Sequence, residues 1–316
     1  MSNQVSIRSY EPTDIRDVVA LLNRCLTADP ITSETFARRV LLDINYSPRG
    51  TLVASIDSKI VGFALGMVRR FQLEDSAPDF DRSWLTLFAV DEAFRRQGIG
   101  TKLAAGLEDY FKSCGCKSTI ISGYSPNYFV PGVDPVAYPE ALEFFTKMGF
   151  AEVNRPLSMD SDLVRLRTPE WAIAKEQGLI DAGVTFEPYR PELIHPLLDF
   201  MRVEFPGDWQ RFVRDAMTRI TTGEFHPTNV WIAHVDGNVL GFAMHDNGCR
   251  FGPFGVAAKE RGRGLGVVLL LKILHAMKAK GLHNAWFLWT SDTAARIYDV
   301  GGFTESRRFS YMKKAL

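Results

Sequence analysis

The chain repeats itself, and that constrains its fold more than any other feature. VSIRSYEP, with Tyr10 and Pro12, returns as VTFEPYRP, with Tyr189 and Pro191, and IVGFAL around Gly62 and Phe63 returns as VLGFAM around Gly241 and Phe242. VDEAFRRQGIG from Val90 to Gly100 matches VAAKERGRGLG from Val256 to Gly266, and KMGF ending at Phe150 matches VGGF ending at Phe303. The offset is 179 residues for the first two landmarks, 166 for the third and 153 for the fourth. The two drops place insertions in the first copy, at FQLEDSAPDFDRS and at YSPNYFVPGVDPVAY, both rich in Pro, Asp and Ser as surface loops are. At about 150 residues per domain, 316 residues suit two domains. The expected division is 1–166, a linker helix over 167–182 ended by Gly178, and 183–316.

Each copy reads as the same series of elements. In the second, strands are expected at Val184 to Tyr189, Val230 to His234, Val239 to Met244, Phe251 to Val256 and Ala285 to Trp289. Helices are expected at Pro191 to Glu204, Trp209 to Thr222, Gly264 to Lys280 and Asp292 to Val300. The first copy runs in parallel, with strands at Val5 to Tyr10, Thr51 to Ser55, Ile60 to Val68 and Trp84 to Val90. Its helices fall at Pro12 to Leu26, Thr32 to Leu42 and from Gly100. The order β-α-α-β-β-β-α-β-α implies an α/β fold, a mixed sheet with helices on its faces, made twice.

Both copies place R-x-x-G-x-G between a strand and an apolar helix, as Arg95 to Gly100 and Arg261 to Gly266. A helix N-terminus carries unpaired N–H groups and about half a positive charge, and glycine lets a phosphate approach them. A pyrophosphate is the group this favours. Neither copy has the G-K-[ST] of a nucleotide P-loop, and a third glycine of G-x-G-x-x-G is replaced by Leu103 and Leu269. One such turn alone is as often tight packing as a ligand site; two at matching places favour a ligand.

With these loops and the A-x-x-x-Y-x-x-x-G-F helix end of Ala294, Tyr298, Gly302 and Phe303, the chain resembles the GNAT superfamily of acyl-CoA-dependent N-acetyltransferases over nearly all of both copies. The resemblance implies two tandem GNAT folds and acetyl-CoA as cofactor. It implies that Phe254, Val256, Arg261, Gly262, Arg263, Gly264, Leu265 and Gly266 hold it in the second copy. Val90, Arg95, Arg96, Gln97, Gly98, Ile99 and Gly100 are the counterparts in the first. Ser291 stands where the family often has Asn against the pantetheine arm.

Acetyl transfer to an amine needs a neutral amine, a donor to the developing oxyanion and an acid for the departing thiolate. A phenol is protonated at neutral pH and can serve as that acid; the family commonly uses a tyrosine. Tyr298 falls on the pattern in the second copy, whereas the first has Phe145 beside Ala141, Gly149 and Phe150. Catalysis is therefore expected in the C-terminal copy, with the N-terminal one degenerate or only binding. Tyr124, Tyr128 and Tyr138 of the inserted loop are possible replacements for the missing phenol. Glu204, Glu224, His245 and Asp246 are candidate bases, although a solvated surface role is the commoner fate of such groups.

The expected reaction is transfer from acetyl-CoA to a primary amine of a small molecule or peptide; the alternative is a non-catalytic acyl-CoA sensor or scaffold. Lys plus Arg and Asp plus Glu are each 37, so no net positive field favours nucleic acid or anionic lipid as partner. Six histidines lack metal-site spacing, so no metal is expected. Cys25, Cys114, Cys116 and Cys249 form no disulfide framework and suit a reducing cytoplasm. MSNQVSIRSYEP has no signal-peptide character, and the aliphatic run Val267 to Leu271 is far short of about 20 residues for a membrane span. A monomer with an internal pseudo-dimer, or a homodimer, is expected.

Overall fold

The computed structural model describes residues 5–316. The chain forms two compact units, one made of residues up to Gln72 with Pro78–Pro156 and Phe309–Leu316, the other of Leu73–Ala77 with Leu157–Arg308.

In the first unit, strand β1 (Ser6–Ser9) leads to α1 (Ile15–Cys25) and α2 (Ser33–Phe36), which continues as a π-helical turn to Leu41. Strands β2 (Thr51–Ile56), β3 (Lys59–Val68) and β4 (Arg82–Val90) follow, then α3 (Ile99–Ser113), β5 (Ser118–Ile121), α4 (Pro139–Lys147) and β6 (Ala151–Asn154). Alternate side chains of β2 go to opposite faces, as a period of two requires. Leu52 and Ala54 pack with Leu103, Leu107 and Phe111 of α3, and Val53 packs with Val18, Leu22 and Phe36 on the helical layer opposite. Gly66 is needed here, since a Cβ on it would come within 2.5 Å of the Phe111 ring.

The second unit contains β7 (Leu157–Asp162), α5 (Glu170–Asp181), β8 (Thr185–Pro188), α6 (Ile194–Glu204), α7 (Asp208–Thr221), β9 (Val230–Val235) and β10 (Asn238–His245). It goes on with β11 (Phe251–Val256), α8 (Leu265–Ala279), β12 (Asn284–Thr290), α9 (Asp292–Tyr298) and β13 (Phe303–Arg308). The last strand of the chain, β14 (Tyr311–Ala315), lies in the first unit.

The compact units thus depart from the contiguous division at 166 and 183, because two terminal strands are exchanged. The first unit has a seven-stranded sheet in the order β1-β2-β3-β4-β5-β14-β6. β14 lies antiparallel between β5 and β6, pairing Lys313 with Ile120 and Met312 with Glu152, and Lys314 reaches Glu108 of α3 at 2.7 Å. β7, the strand that follows β6 directly, instead lies between β12 and β13 in the second unit, where Ser161 faces Ala285 and Phe303. The rest of the second unit's strands form the sheet β11-β10-β9-β8.

The linker helix belongs to the second unit and runs through Gly178 to Asp181, ending before the left-handed Gly183. It lies there because α8 is apolar nearly all round, burying Val268, Leu269, Leu270, Leu271, Ile273 and Leu274, and a helix of that composition needs cover on more than one face. Part of the first insertion is likewise built into the second unit: the Gly207 N–H donates to the Glu74 carbonyl at 2.8 Å, and Arg214 pairs with the Glu74 carboxylate.

A fragment of residues 1–166 carries β7 without its neighbours and lacks β14. It is expected to show no cooperative thermal transition by circular dichroism, whereas the full chain melts cooperatively; a cooperative melt of the fragment contradicts the exchange of strands.

Candidate active site

β4 and β5 are parallel from Arg82 opposite Ser118 to Leu85 opposite Ile121, and then part. Ser122 (φ 58°) and Gly123 (φ 64°) are successive left-handed residues that turn the chain away from β4 after a last bond from the Ser122 N–H to the Leu85 carbonyl at 2.7 Å. β4 runs on to Val90 with β3 on one edge and, among the described residues, no strand on the other. The gap opens into a cavity of about 770 Å³. Thr86 to Val90 form one wall, Ile121 and Ser122 another, and Phe144 and Phe145 of α4 a third.

The first glycine loop closes this cavity. Val90, Arg95, Arg96, Gly98, Ile99 and Gly100 line it; Gln97 does not, and its amide is turned toward the Ala93 carbonyl at 3.5 Å. Gly98 caps α3 at φ 78°, and a Cβ there would meet nothing within 4 Å, so the Cβ side of Gly98 at the start of α3 is open. Arg95 bonds the Val90 carbonyl through Nε and Glu140 through Nη1, and Lys147 pairs with Glu143. Arg96 holds φ 61° where the second copy has Gly262 at φ 79°. A left-handed non-glycine residue costs about 1 kcal/mol.

Cys25, Leu26, Thr27 and Asp29 from the α1–α2 connection also line the cavity, together with Tyr138. The Cys25 thiol faces the Val90 carbonyl at 3.5 Å, and burial pushes its pKa up. The Tyr138 hydroxyl donates to Asp29 Oδ2 at 2.8 Å and accepts from the Ala28 N–H at 3.1 Å. Tyr138 precedes Phe145 by the spacing that separates Ser291 from Tyr298, a signal in the sequence that could have marked it. Tyr124 is fully buried against Asp43 and Asn45, and burial drives its pKa up; it does not line the cavity.

The second copy repeats the strand–loop–helix order, but side chains pack the corresponding region. Among the described residues β11 and β12 share no ladder; a single bridge joins Arg250, just before β11, to Trp286. Beyond it Tyr298 packs on Phe287 at 4.5 Å between ring centroids, on Phe303 at 5.7 Å, and on Phe251 and Phe254 at 6.0 Å. Burial among these rings pushes the Tyr298 pKa up to about 12, against the opposing effect of a hydrogen bond with Thr290. Gly264 caps α8 at φ 95°, yet the stem of Lys175 on α5 lies 2.7 Å from where its Cβ would be. A Cβ on Gly266 would meet Ile297 at 2.8 Å, and the Phe205 ring lies where a Cβ on Gly255 would go.

Of the other residues named for this copy, Leu265 is buried, Val256 is partly buried against the same core, Arg263 pairs with Glu260, and Arg261 and Gly262 are exposed. Ser291 caps α9, accepting from the Ala294 N–H at 3.3 Å.

Each of the four candidate bases has its own local setting. Glu204 Oε2 accepts from the Ala258 N–H at 2.9 Å, tying the end of α6 to the turn after β11. Asp246 Oδ1 accepts from the Gly248 N–H at 2.8 Å and caps a turn. Glu224 is exposed beside Thr222 and Arg219. His245 is fully buried, which with the nearby Lys280 ammonium lowers its pKa to about 4 and keeps it neutral.

Comparison with known proteins agrees with the doubled fold. The acetyltransferase (GNAT) family matches residues 15–150 and an acetyltransferase (GNAT) domain matches residues 203–313. A mycothiol acetyltransferase of Rhodococcus erythropolis (strain PR4 / NBRC 100887) is 27% identical over 227 residues, 66% of this chain and 68% of the relative. Among solved structures, a GCN5-related glucosamine N-acetyltransferase region of a fungal multi-domain GH3 β-N-acetylglucosaminidase superimposes with a TM-score of 0.81 at 18% identity, covering 99% of this chain and 38% of that one. A GCN5-related N-acetyltransferase from Sphaerobacter thermophilus gives 0.73 at 17% identity over 98% and 95%. A tandem GNAT protein from the clavulanic acid biosynthesis pathway gives 0.63 at 16% over 99% and 98%. With the family present in both halves, the chain belongs to the GNAT acetyltransferases and is an acyltransferase with two GNAT folds in tandem.

Proposed function

We propose that the chain transfers an acetyl group from acetyl-CoA to a primary amine of a small molecule or peptide, with the cofactor held in the first unit. The supporting observation is the cavity of about 770 Å³ that joins the open glycine loop to the unpaired edge of β4. The fit is chemical as well as spatial. First-turn amides of α3 and the Arg96 guanidinium suit a diphosphate, and the strain at Arg96 is explained if its charge is needed there. The amides and carbonyls between Thr86 and Val90 that do not bond β3 offer hydrogen bonds to an amide-bearing arm laid along β4 as a strand would be, apart from the Val90 carbonyl that Arg95 holds.

Acetyl-CoA supplies the acetyl group as a thioester. The amine nitrogen forms the new C–N bond and gives up a proton as the C–S bond breaks, and the departing sulfur takes one up. In the first unit the phenol that lines the cavity is Tyr138, whose single proton is held by Asp29 Oδ2 and reaches the sulfur only when the hydroxyl turns from that carboxylate. A second reading places the chemistry at Tyr298, favoured because its phenol stays protonated at neutral pH while Phe145 stands at that position in the first copy. That reading requires Lys175 to leave the second glycine loop.

Replacing Arg96 by Glu should weaken desulfo-CoA binding, measured calorimetrically, by about tenfold or more, on the order of 1.4 kcal/mol; unchanged affinity contradicts the first-unit site. Tyr138→Phe should lower kcat by about tenfold or more with desulfo-CoA affinity retained, and Tyr298→Phe should leave kcat within about twofold. The reverse pattern in steady-state rates assigns the chemistry to the second unit.

A further inference from the structure

The second unit has another cavity, of about 720 Å³, walled by α5, α8 and Trp231 of β9. Its apolar lining includes Ile173, Leu271 and Ala276, and two cationic side chains, Lys272 and Lys280, border it. They differ in how their charge is met. Lys272 pairs with Glu176 at 2.5 Å. The Lys280 ammonium bonds Asn229 Oδ1 at 2.5 Å and His245 Nε2 at 3.2 Å, both uncharged acceptors. Neither neutralises it, and burial lowers its pKa to about 8 with no carboxylate opposing the shift. Asn229 is fixed in this role because its amide nitrogen is already directed to the carbonyls of His245 and Asp246. The Trp231 indole N–H is buried with no acceptor among the described residues.

The repeat shows that the fold does not require this polar set. The positions of Asn229, Trp231, His245 and Lys280 correspond in the first copy to Gly50, Leu52, Gly66 and Cys114. A buried donor left unpaired is destabilising, and an ammonium held by neutral acceptors adds to that. Water can reach the Lys280 ammonium at the cavity but brings no opposite charge.

We propose that this cavity is a second binding site, taking a small carboxylate with an apolar body, its anion met by the Lys280 ammonium, with Trp231 in the cavity wall as the reporter of occupancy. A carboxylate supplies the single negative charge that Asn229 and His245 do not; the walls of Ile173, Leu271 and Ala276 take the apolar part. The site lies outside the cofactor cavity of the first unit and does not depend on where that cofactor binds.

The test uses the full chain with its tryptophans labelled with nitrogen-15, the Trp231 indole signal being identified by its loss in Trp231→Phe. Benzoate should shift that signal saturably, while benzamide, equal in shape and uncharged, should not; Lys280→Gln, which keeps a donor for Asn229, should weaken benzoate at least tenfold. A Trp231 signal unmoved by benzoate, moved equally by benzamide, or titrating unchanged in Lys280→Gln overturns the proposal. Tighter binding of phenyl phosphate than of benzoate overturns the carboxylate assignment in favour of a phosphate ester. The benzamide comparison needs only the wild-type chain, so it decides the matter even if the Lys280 variant does not fold.

Discussion

The backbone ladder between β4 and β5 ends at Leu85 and Ile121, and the candidate chemistry of the first unit depends on that break. A strand edge in a protein interior must satisfy its N–H and C=O groups, and β4 continues past the break with one edge unpaired by any strand among the described residues. Ser122 and Gly123, both left-handed, prevent the ladder from resuming. The result is a slot whose floor is hydrogen-bonding backbone and whose end is a helix N-terminus. The same two features, once present, favour a long anionic ligand with amides along its length over a compact one.

The second unit shows what happens when the break is kept and the slot is not. Five aromatic rings, Phe251, Phe254, Phe287, Tyr298 and Phe303, pack together beyond the bridge at Arg250 and Trp286. The stem of Lys175 covers Gly264. Ring packing satisfies the apolar walls without a ligand, and α5 covers the apolar back of α8. Two copies of one fold have thereby diverged by filling one cleft and leaving the other open.

Much of this was legible in the sequence. The landmarks of the repeat, the strand–loop–helix setting of both glycine loops and most strand and helix positions follow from spacing and periodicity alone. The exchange of β7 and β14 did not follow, because alternation identifies a strand and its buried face but not the neighbour it pairs with. The helix continued through Gly178 because α8 needed cover, a tertiary demand that outweighs one poor helix former. Counting phenols directed attention to Tyr298, while the open cavity lies beside Phe145 and Tyr138; packing of rings against one another is a property of the folded core and leaves no motif. Positions at element ends mark candidate bases in a sequence, but the same positions suit capping, and Glu204 and Asp246 accept from backbone N–H groups there.

The account rests on main-chain N–H groups of the first glycine loop meeting a diphosphate, and amide hydrogen exchange observes those groups directly. With saturating CoA, exchange at Ile99, Gly100 and Thr101 should slow markedly while Leu265, Gly266 and Val267 exchange as in the free protein. Protection confined to the second loop, or to neither, contradicts it.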